Sequence, residues 1–149
     1  MRRSYLWAVI ATMVVALAGV IATGGSATSS AKPRTIVFTA KTAPGGFFPK
    51  GRPHPGSRFG FTDTVTGSDG SKGHDFGSCT VIVGKTALCQ VQLVLNTGQL
   101  ARQFPLKLSS HTNTGPITGG TGAYDGARGT ATAKQVNKKT TKITVNLLP

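Results

Sequence analysis

The sequence lacks glutamate altogether, and its only acidic residues are Asp63, Asp69, Asp75 and Asp125. Against these 4 carboxylates stand 17 lysines and arginines, which give a formal net charge of +13 at pH 7. Such an imbalance favours polyanionic surroundings: an acidic wall polymer, acidic lipid or nucleic acid. The charge alone does not choose among them, and a solvated basic surface explains it equally well.

Several signatures of catalysis are also absent. The sequence has no Gly-x-Ser-x-Gly turn that would expose a serine nucleophile. His54, His74 and His111 lack the spacing of metal ligands, and the glycine-rich stretch 119–122 is not followed by the Lys-Ser/Thr of a phosphate-binding loop. Lysines and arginines are not interleaved with aromatic residues as in single-strand binders. We therefore expect no metal, no cofactor and no specific nucleic-acid partner.

The N-terminal segment, residues 1–31, has the layout of a secretory signal peptide. Two arginines precede an apolar run at 5–22, and small or polar residues follow. This order of charge, apolar core and small-residue exit is typical of a cleaved export signal. Cleavage is expected after Ala31, or alternatively after Ala27. An uncleaved membrane anchor is the other interpretation, since the run is just long enough to span a bilayer. We predict a secreted protein whose mature domain spans residues 32–149.

The two cysteines, Cys79 and Cys89, are expected to form a disulfide. An even, close pair in an exported chain meets an oxidising compartment. The residues between them centre on Gly84 and Lys85, a turn signal, so two antiparallel strands folding about Gly84 would bring the cysteines opposite each other. The Cys-x-x-Cys setting of a redox-active pair is missing. The disulfide is therefore interpreted as structural.

The mature sequence predicts strands rather than helices. Short runs of apolar and β-branched residues lie between turn-forming residues, with a Pro- and Gly-rich loop expected at 43–56. We predict eight strands, at residues 34–41, 58–66, 74–83, 87–96, 99–108, 115–119, 126–136 and 141–148. Eight short strands at steady spacing indicate an all-β domain, either a closed barrel or a sandwich.

Alternation along these strands assigns side chains to faces. In the second strand, Phe59, Phe61 and Asp63 share one face, so an aspartate points the same way as two phenylalanines. In the fifth strand, Arg102 shares a face with Phe104 and three leucines. An ionised carboxylate among aromatic rings is costly unless it is paired or hydrogen-bonded. Asp63 therefore serves a ligand or satisfies a buried partner.

The stretch 117–129 reads Ile-Thr-Gly-Gly-Thr-Gly-Ala-Tyr-Asp-Gly-Ala-Arg-Gly. It resembles the signature of the allene oxide cyclase and dirigent superfamily, whose members carry a Gly-Gly-Thr/Ala-Gly turn, an aromatic residue and then Ala-Arg-Gly. Shorter stretches resemble strands of the same superfamily in the same order, and they lie at 61–65, 75–79, 95–100 and 142–147. The resemblance covers residues 58–148, which is most of the mature chain.

The resemblance implies an eight-stranded antiparallel β-barrel with an apolar cavity, often assembled as a trimer. Members of the superfamily guide a reactive small molecule into one stereochemical outcome: the cyclases close a ring in an unsaturated fatty-acid epoxide, and dirigent proteins orient phenoxy radicals or quinone methides. The sequence departs from both patterns. Ala123 stands where dirigent proteins carry an aspartate after the Thr-Gly of the turn, and the cyclase glutamate has no counterpart.

The resemblance also singles out residues. Asp63 and Arg128 match polar cavity residues of dirigent proteins, and they are our candidates for catalysis or for anchoring a ligand; Arg128 is also the candidate buried partner of Asp63. The aromatic candidates for the cavity wall are Phe59, Phe61, Phe104 and Tyr124, the last of which would otherwise fill the core. The glycines Gly119, Gly120 and Gly122 are expected to form a turn that needs positive φ.

Two functions fit these expectations. In the first, a dirigent-like or cyclase-like barrel binds an apolar or aromatic small molecule in its cavity and steers its stereochemistry, with or without catalysis. In the second, a secreted cationic module binds acidic cell-surface polymers through its outer surface. A roomy interior containing Asp63 would favour the first function. A filled interior, with lysines gathered on one face, would favour the second.

Overall fold

The computed structural model describes residues 32–48 and 50–149, so the predicted signal peptide lies outside the described residues. Alternating apolar and polar residues form eight strands, as expected from a period of two. Their bounds are β1 Arg34–Thr42, β2 Arg58–Gly67, β3 Lys72–Val83, β4 Thr86–Leu95, β5 Gly98–Lys107, β6 Thr112–Gly122, β7 Gly129–Asn137 and β8 Thr140–Leu147. The predicted all-β class is thereby confirmed.

The strands form one closed antiparallel barrel in which each strand pairs with its neighbour in sequence. β1 closes the barrel by pairing with β8, from Arg34 opposite Leu147 to Lys41 opposite Thr140. Closure leaves no free sheet edge, which would otherwise offer unpaired backbone groups to other chains. Of the two architectures that the sequence left open, the barrel is correct and the sandwich is wrong.

Cys79 and Cys89 form the predicted disulfide. They are directly opposed in the register of β3 and β4, with a Cα–Cα distance of 4.1 Å. Both side chains point into the barrel and are buried. In the loop-entropy description, closing so short a loop contributes roughly 3 kcal/mol to stability.

The two ends of the barrel differ. One end, called here the closed end, carries the loops 68–71, 96–97 and 123–128, and both β1 and β8 meet it, at Arg34 and Leu147. Apolar side chains fill the half of the barrel nearest this end. The principal ones are Ile36, Phe38, Val65, Leu93, Leu95, Leu100, Ile117 and Val145.

Tyr124 closes this end. Its hydroxyl donates to Asp69 Oδ2 at 3.1 Å and accepts from Thr97 Oγ1 at 3.3 Å, so one side chain joins all three loops. Asp69 also pairs with Arg34 at 2.9 Å. Burial raises the pKa of Asp69, but hydrogen bonds from Ser71 and Tyr124, together with the Arg34 charge, outweigh burial and hold it below its usual value.

The glycine-rich stretch differs from the expected turn. Gly119 and Gly120 lie within β6, and of the three predicted turn glycines only Gly122 has a positive φ, +64°. Gly120 is needed for space instead: a Cβ there would overlap the backbone oxygen of Tyr124. The turn follows at 123–126, so β7 begins at Gly129 rather than at residue 126 as predicted.

The described residues contain no helix that is long and apolar enough to cross a membrane.

Candidate functional site

A cavity of about 510 Å³ occupies the half of the barrel away from the closed end. It opens between the loops 43–57, 108–111 and 138–139. Its wall combines aromatic and aliphatic side chains with a few polar ones, the usual composition of a small-molecule site. The inner wall includes Phe61, Asp63, Asp75, Cys89, Arg102, Phe104, Leu106, Ala133 and Ile143.

Glycines opposite the aromatic residues keep the cavity open. A Cβ at Gly77 would overlap the ring of Phe61, and a Cβ at Gly115 would overlap Phe104. Each aromatic side chain therefore lies against a wall position that has no side chain. Ala133 adds another small residue to the lining, on the face of β7 that points inward. The interior is thus roomy because small residues stand where large ones would fill it.

Arg102 and Asp75 form a buried ion pair at the inner part of this cavity. Arg102 lies on β5 and Asp75 on β3, and the Arg102 Nη2–Asp75 Oδ2 distance is 3.4 Å. Their side chains are 3% and 2% exposed. The Arg102 guanidinium also lies 5.1 Å from the centre of the Phe104 ring, within cation–π range. Two neighbours therefore fix the guanidinium.

Asp63 completes a group of two carboxylates and one guanidinium. It is directly opposite Asp75 in the β2–β3 ladder and opposite Thr42 in the β1–β2 ladder. Burial raises its pKa, while a hydrogen bond with the Thr42 side chain and the Arg102 charge oppose the rise. Burial also raises the pKa of Asp75, to about 6; the Arg102 charge opposes this rise and the Asp63 carboxylate adds to it. Asp75 can therefore change protonation close to neutral pH.

Two buried polar atoms of this group have no hydrogen-bond partner among the described residues: Asp75 Oδ1 and Arg102 Nε. A buried polar atom without a partner costs about 1 to 3 kcal/mol. One of them is an acceptor and the other a donor, and both residues line the cavity. The two residues therefore hold one unused acceptor and one unused donor beside the cavity, which a molecule carrying both a donor and an acceptor would satisfy once the side chains turn toward it.

The predicted site residues divide between two places. Asp63, Phe61 and Phe104 line the cavity as the alternation indicated. Phe59 is buried beside it, with its ring stacked on Phe48 at 6.0 Å between centroids, and only Phe48 of the two lines the cavity. Tyr124 lies buried at the closed end and is not among the residues that line this cavity.

Arg128 also lies outside the lining of this cavity. Its side chain is exposed, and it lies in the loop before β7, away from the cavity lining. Arg102 provides the guanidinium that the resemblance had assigned to Arg128. The alternation along β5 had already placed Arg102 on the inward face with Phe104, but the sequence alone did not show that Asp75 would face it.

Asp75 is the residue that sequence reasoning missed. It lies four residues before Cys79 on β3, so the two side chains share a face. A disulfide inside the barrel therefore implies an aspartate inside the barrel. The described residues contain no group of three or more His, Cys, Asp or Glu side chains placed to hold a metal ion.

The closed eight-stranded barrel with this cavity is the fold of the dirigent-like and cyclase barrels, as the sequence resemblance implied. Many solved structures are similar to it, including the following three. Pyocyanin demethylase has a TM-score of 0.68 at 24% identity, covering 77% of this chain and 100% of that chain. An exo-specific intermolecular Diels-Alderase has a TM-score of 0.66 at 13% identity, covering 78% and 98%. A pterocarpan synthase dirigent protein has a TM-score of 0.57 at 21% identity, covering 78% and 86%.

At the level of sequence, no protein-family model and no curated protein matches the chain. The similarity to the solved structures therefore defines the fold, and the function has to be argued from the cavity.

Proposed function

We propose that the barrel binds a planar, largely apolar small molecule in its cavity and orients it against Arg102, Asp75 and Asp63. The observation that carries the proposal is that two residues lining a cavity of about 510 Å³, Arg102 and Asp75, each hold a buried polar atom, Nε and Oδ1, without a partner in the described residues. The apolar wall supplies affinity, and a few buried polar groups fix the orientation of the ligand.

The polar groups narrow the ligand class. Arg102 Nε can only donate, and an ionised Asp75 Oδ1 can only accept. Two carboxylates face one guanidinium, so an anionic group on the ligand gains little from this end of the cavity. The ligand is therefore expected to be neutral there, with an acceptor and a donor side by side on an aromatic or polyene framework, as in a phenol with a neighbouring carbonyl or in an amide.

The same geometry supports a stereochemical or proton-transfer role. Orientation alone steers a reactive intermediate, because a bound geometry close to that of the reaction removes most of the entropy cost. A carboxylate with a pKa of about 6 is also suited to general acid–base work near neutral pH. In such a step, Asp75 takes a proton from one ligand atom and returns it to another, which shifts a double bond without a cofactor. The solved structures of similar fold include a Diels-Alderase and a dirigent protein, in keeping with this role.

Export belongs to the proposal. It is supported by the charge, apolar run and small residues of the N-terminal segment, and by the disulfide in the barrel. The homotrimer implied by the family resemblance stays a prediction.

The alternative function, a cationic module for acidic polymers, keeps one supporting observation: most lysines and arginines of the described residues lie toward the open end of the barrel. The roomy interior with Asp63 favours the small-molecule function.

A matched pair of ligands tests the proposal. Naphthamide carries an acceptor and a donor on one edge, whereas acetylnaphthalene has nearly the same shape but only the acceptor. Isothermal titration calorimetry should show both binding, with naphthamide tighter by about fivefold to tenfold, the worth of one hydrogen bond. Asp75→Leu combined with Arg102→Met replaces the ion pair by apolar residues of similar size, which buried pairs tolerate. In this variant the preference for naphthamide should disappear.

Arg128→Leu is the control, because Arg128 is exposed and away from the cavity. It should bind both ligands as the wild type does. If neither compound binds the wild type, small-molecule binding in the cavity is refuted. If both bind equally well to the wild type and to the double variant, the cavity binds ligand but the polar pair does not orient it.

A further inference from the structure

The open end of the barrel carries apolar side chains that no part of the described chain covers. We call this surface the open rim: the described loop residues 43–48, 50–57, 84–85, 108–111 and 138–139 with the strand residues next to them. Phe48 is 72% exposed and Val83 is 66% exposed, although each is large enough to be buried in a core. The exposed apolar residues of the rim are Phe47, Phe48, Ile82, Val83, Leu108 and Val136. Exposed apolar residues gathered on one surface mark a site of interaction.

Backbone hydrogen bonds join these loops into one ring. The β1–β2 loop bonds β3 through Gly56 N and Val81 O at 2.8 Å, and the β5–β6 loop bonds the β3–β4 turn through Leu108 N and Lys85 O at 2.8 Å. The β5–β6 loop also bonds β7 through Gln135 N and His111 O, and Thr42 N bonds Lys139 O. The loops that carry or adjoin the apolar residues are therefore linked to one another around the cavity opening.

Two strand pairs change register at this rim, beside outward-facing apolar side chains. The register of β3 and β4 shifts between Val81 and Val83, and that of β7 and β8 shifts between Gln135 and Asn137. The residues left out of the ladders are Ile82 and Val136, which are 51% and 61% exposed. Both side chains lie on the outer face of the barrel by alternation, because the buried positions of β3 and β7, such as Cys79 and Ala131, are odd-numbered.

The charge of the rim has a single sign. Lys50, Arg52, Lys85, Lys107, Lys138 and Lys139 lie on it or at the strand ends beside it. None of the four aspartates is exposed there: Asp63 and Asp75 line the cavity, and Asp69 and Asp125 lie in loops of the closed end. The molecule is therefore polarised along the barrel axis, with a basic and apolar open rim and both surface carboxylates at the far end.

We propose that the open rim docks on an anionic lipid membrane, with the cavity opening facing the bilayer. Surfaces that bind at a membrane interface insert apolar side chains among the lipid headgroups. Lysines around those side chains contact the anionic headgroups. A soluble acidic polymer would satisfy the lysines but would leave the ring of apolar residues exposed. The combination of both features around one opening favours a lipid surface over a polymer.

Docking in this orientation gives the cavity direct access to molecules dissolved in the membrane. An apolar ligand would pass from lipid into the barrel without crossing water, which removes the cost of exposing its apolar area. This inference concerns the outer surface and does not depend on the ligand class proposed above.

Vesicle co-sedimentation tests the docking surface. Protein purified from expression of the full sequence is mixed with vesicles of phosphatidylcholine alone, or of phosphatidylcholine with phosphatidylglycerol in a ratio of about 2:1. We expect binding to the anionic vesicles, weakened by salt. Lys85→Gln with Lys139→Gln should weaken binding about twenty-fivefold, from about fivefold for each lysine lost near the surface. Val83→Ser with Val136→Ser, which leaves the charge unchanged, should weaken it about tenfold or more.

Control variants at the closed end distinguish an effect of the open rim from an effect of net charge. The N-terminal segment is the same in every variant, so it cannot cause a difference between them. Lys72→Gln with Arg128→Gln removes the same charge near the closed end, and Leu148→Ser removes an exposed apolar residue there. Both controls should bind within about twofold of the wild type. Equal losses for the rim and control charge variants would overturn the proposal. So would unchanged vesicle binding after Val83→Ser with Val136→Ser, especially if a soluble polyanion such as polyglutamate then binds as tightly as the vesicles.

Discussion

Asp63 and Asp75 face each other across the β2–β3 ladder, and the field of a single guanidinium, that of Arg102, reaches both carboxylates. Like charges directly opposite each other on neighbouring strands are destabilising. The barrel accommodates this pair because Arg102 bonds Asp75 directly and because the pKa values of both aspartates are raised. The pair is therefore a coupled acid, with Asp75 as the member that lies deeper.

Asp63→Asn should lower the pKa of Asp75. Burial is the largest cause of the raised pKa and stays in place, but the repulsion from the Asp63 carboxylate, which adds to it, is removed. Carboxyl carbon chemical shifts, followed by NMR as a function of pH, measure this pKa directly. Asp125→Asn is the control, because Asp125 is exposed in the closed-end loop 123–128. An unchanged or higher pKa of Asp75 in Asp63→Asn would show that the two carboxylates are not coupled.

The stability of the fold should fall as pH rises from about 4 to about 6. Asp75 has a pKa of about 6 in the folded protein against an ordinary value of 3.8, so the folded state binds more protons in this window. Stability therefore decreases with rising pH, by at most about 3 kcal/mol over the full shift. Urea unfolding at a series of pH values measures the change, and Asp75→Asn should flatten it.

Asp69 supplies the control for this pH window. Its pKa is held below the usual value, so its contribution is lost only when the pH falls below about 4. Asp69→Asn should thus keep the decline between pH 4 and 6. A wild-type stability that rises through that window would contradict the raised pKa of Asp75.

Gly77→Ala should reduce both stability and ligand binding. The added Cβ overlaps the Phe61 ring, which then has to move into the cavity. Overpacking of this kind costs about 1 to 3 kcal/mol. Gly119→Ala is the matched control, because a Cβ there meets nothing within 4 Å and its φ is not positive. Urea unfolding and titration with naphthamide measure the two effects; equal behaviour of the two variants would contradict the packing of Phe61 on Gly77.

Tyr124→Phe should destabilise the barrel by about 1 to 2 kcal/mol without changing ligand affinity. The variant removes the hydroxyl that bonds Asp69 and Thr97, but the ring still fills the closed end. Thermal unfolding and calorimetric titration separate stability from binding. Weaker ligand binding at unchanged stability would instead return Tyr124 to the role that the sequence suggested.

The barrel was predictable from the sequence because its causes are local. Alternation in β2 placed Phe61 and Asp63 on the inward face, and the spacing of Cys79 and Cys89 around Gly84 set the β3–β4 register. The polar centre was not predictable in the same way. The ion pair between Arg102 and Asp75 links β5 to β3 inside the barrel. A local sequence pattern shows which residues face inward but not which of them contact each other.

Tyr124 and Arg128 lie outside the cavity for the same reason. Tyr124 and Arg128 belong to the glycine-rich stretch that resembles the superfamily signature, and the signature marks a loop of the closed end. Gly120 and Gly122 are required there by a close backbone approach and by a positive φ. The most recognisable motif in this sequence therefore reports how the barrel is sealed, whereas the residues of the cavity lie on strands without a distinctive pattern.

The pairing of Arg34 with Leu147 has a practical consequence for measurement. Because the first and last strands reach the same end of the barrel, a biotin or fusion partner attached after Pro149 lies on the side opposite the cavity opening. Protein immobilised through that attachment presents its opening to the solution. Ligands and vesicles can then be flowed over one uniformly oriented layer, and attachment through lysines of the open rim gives the reversed layer for comparison.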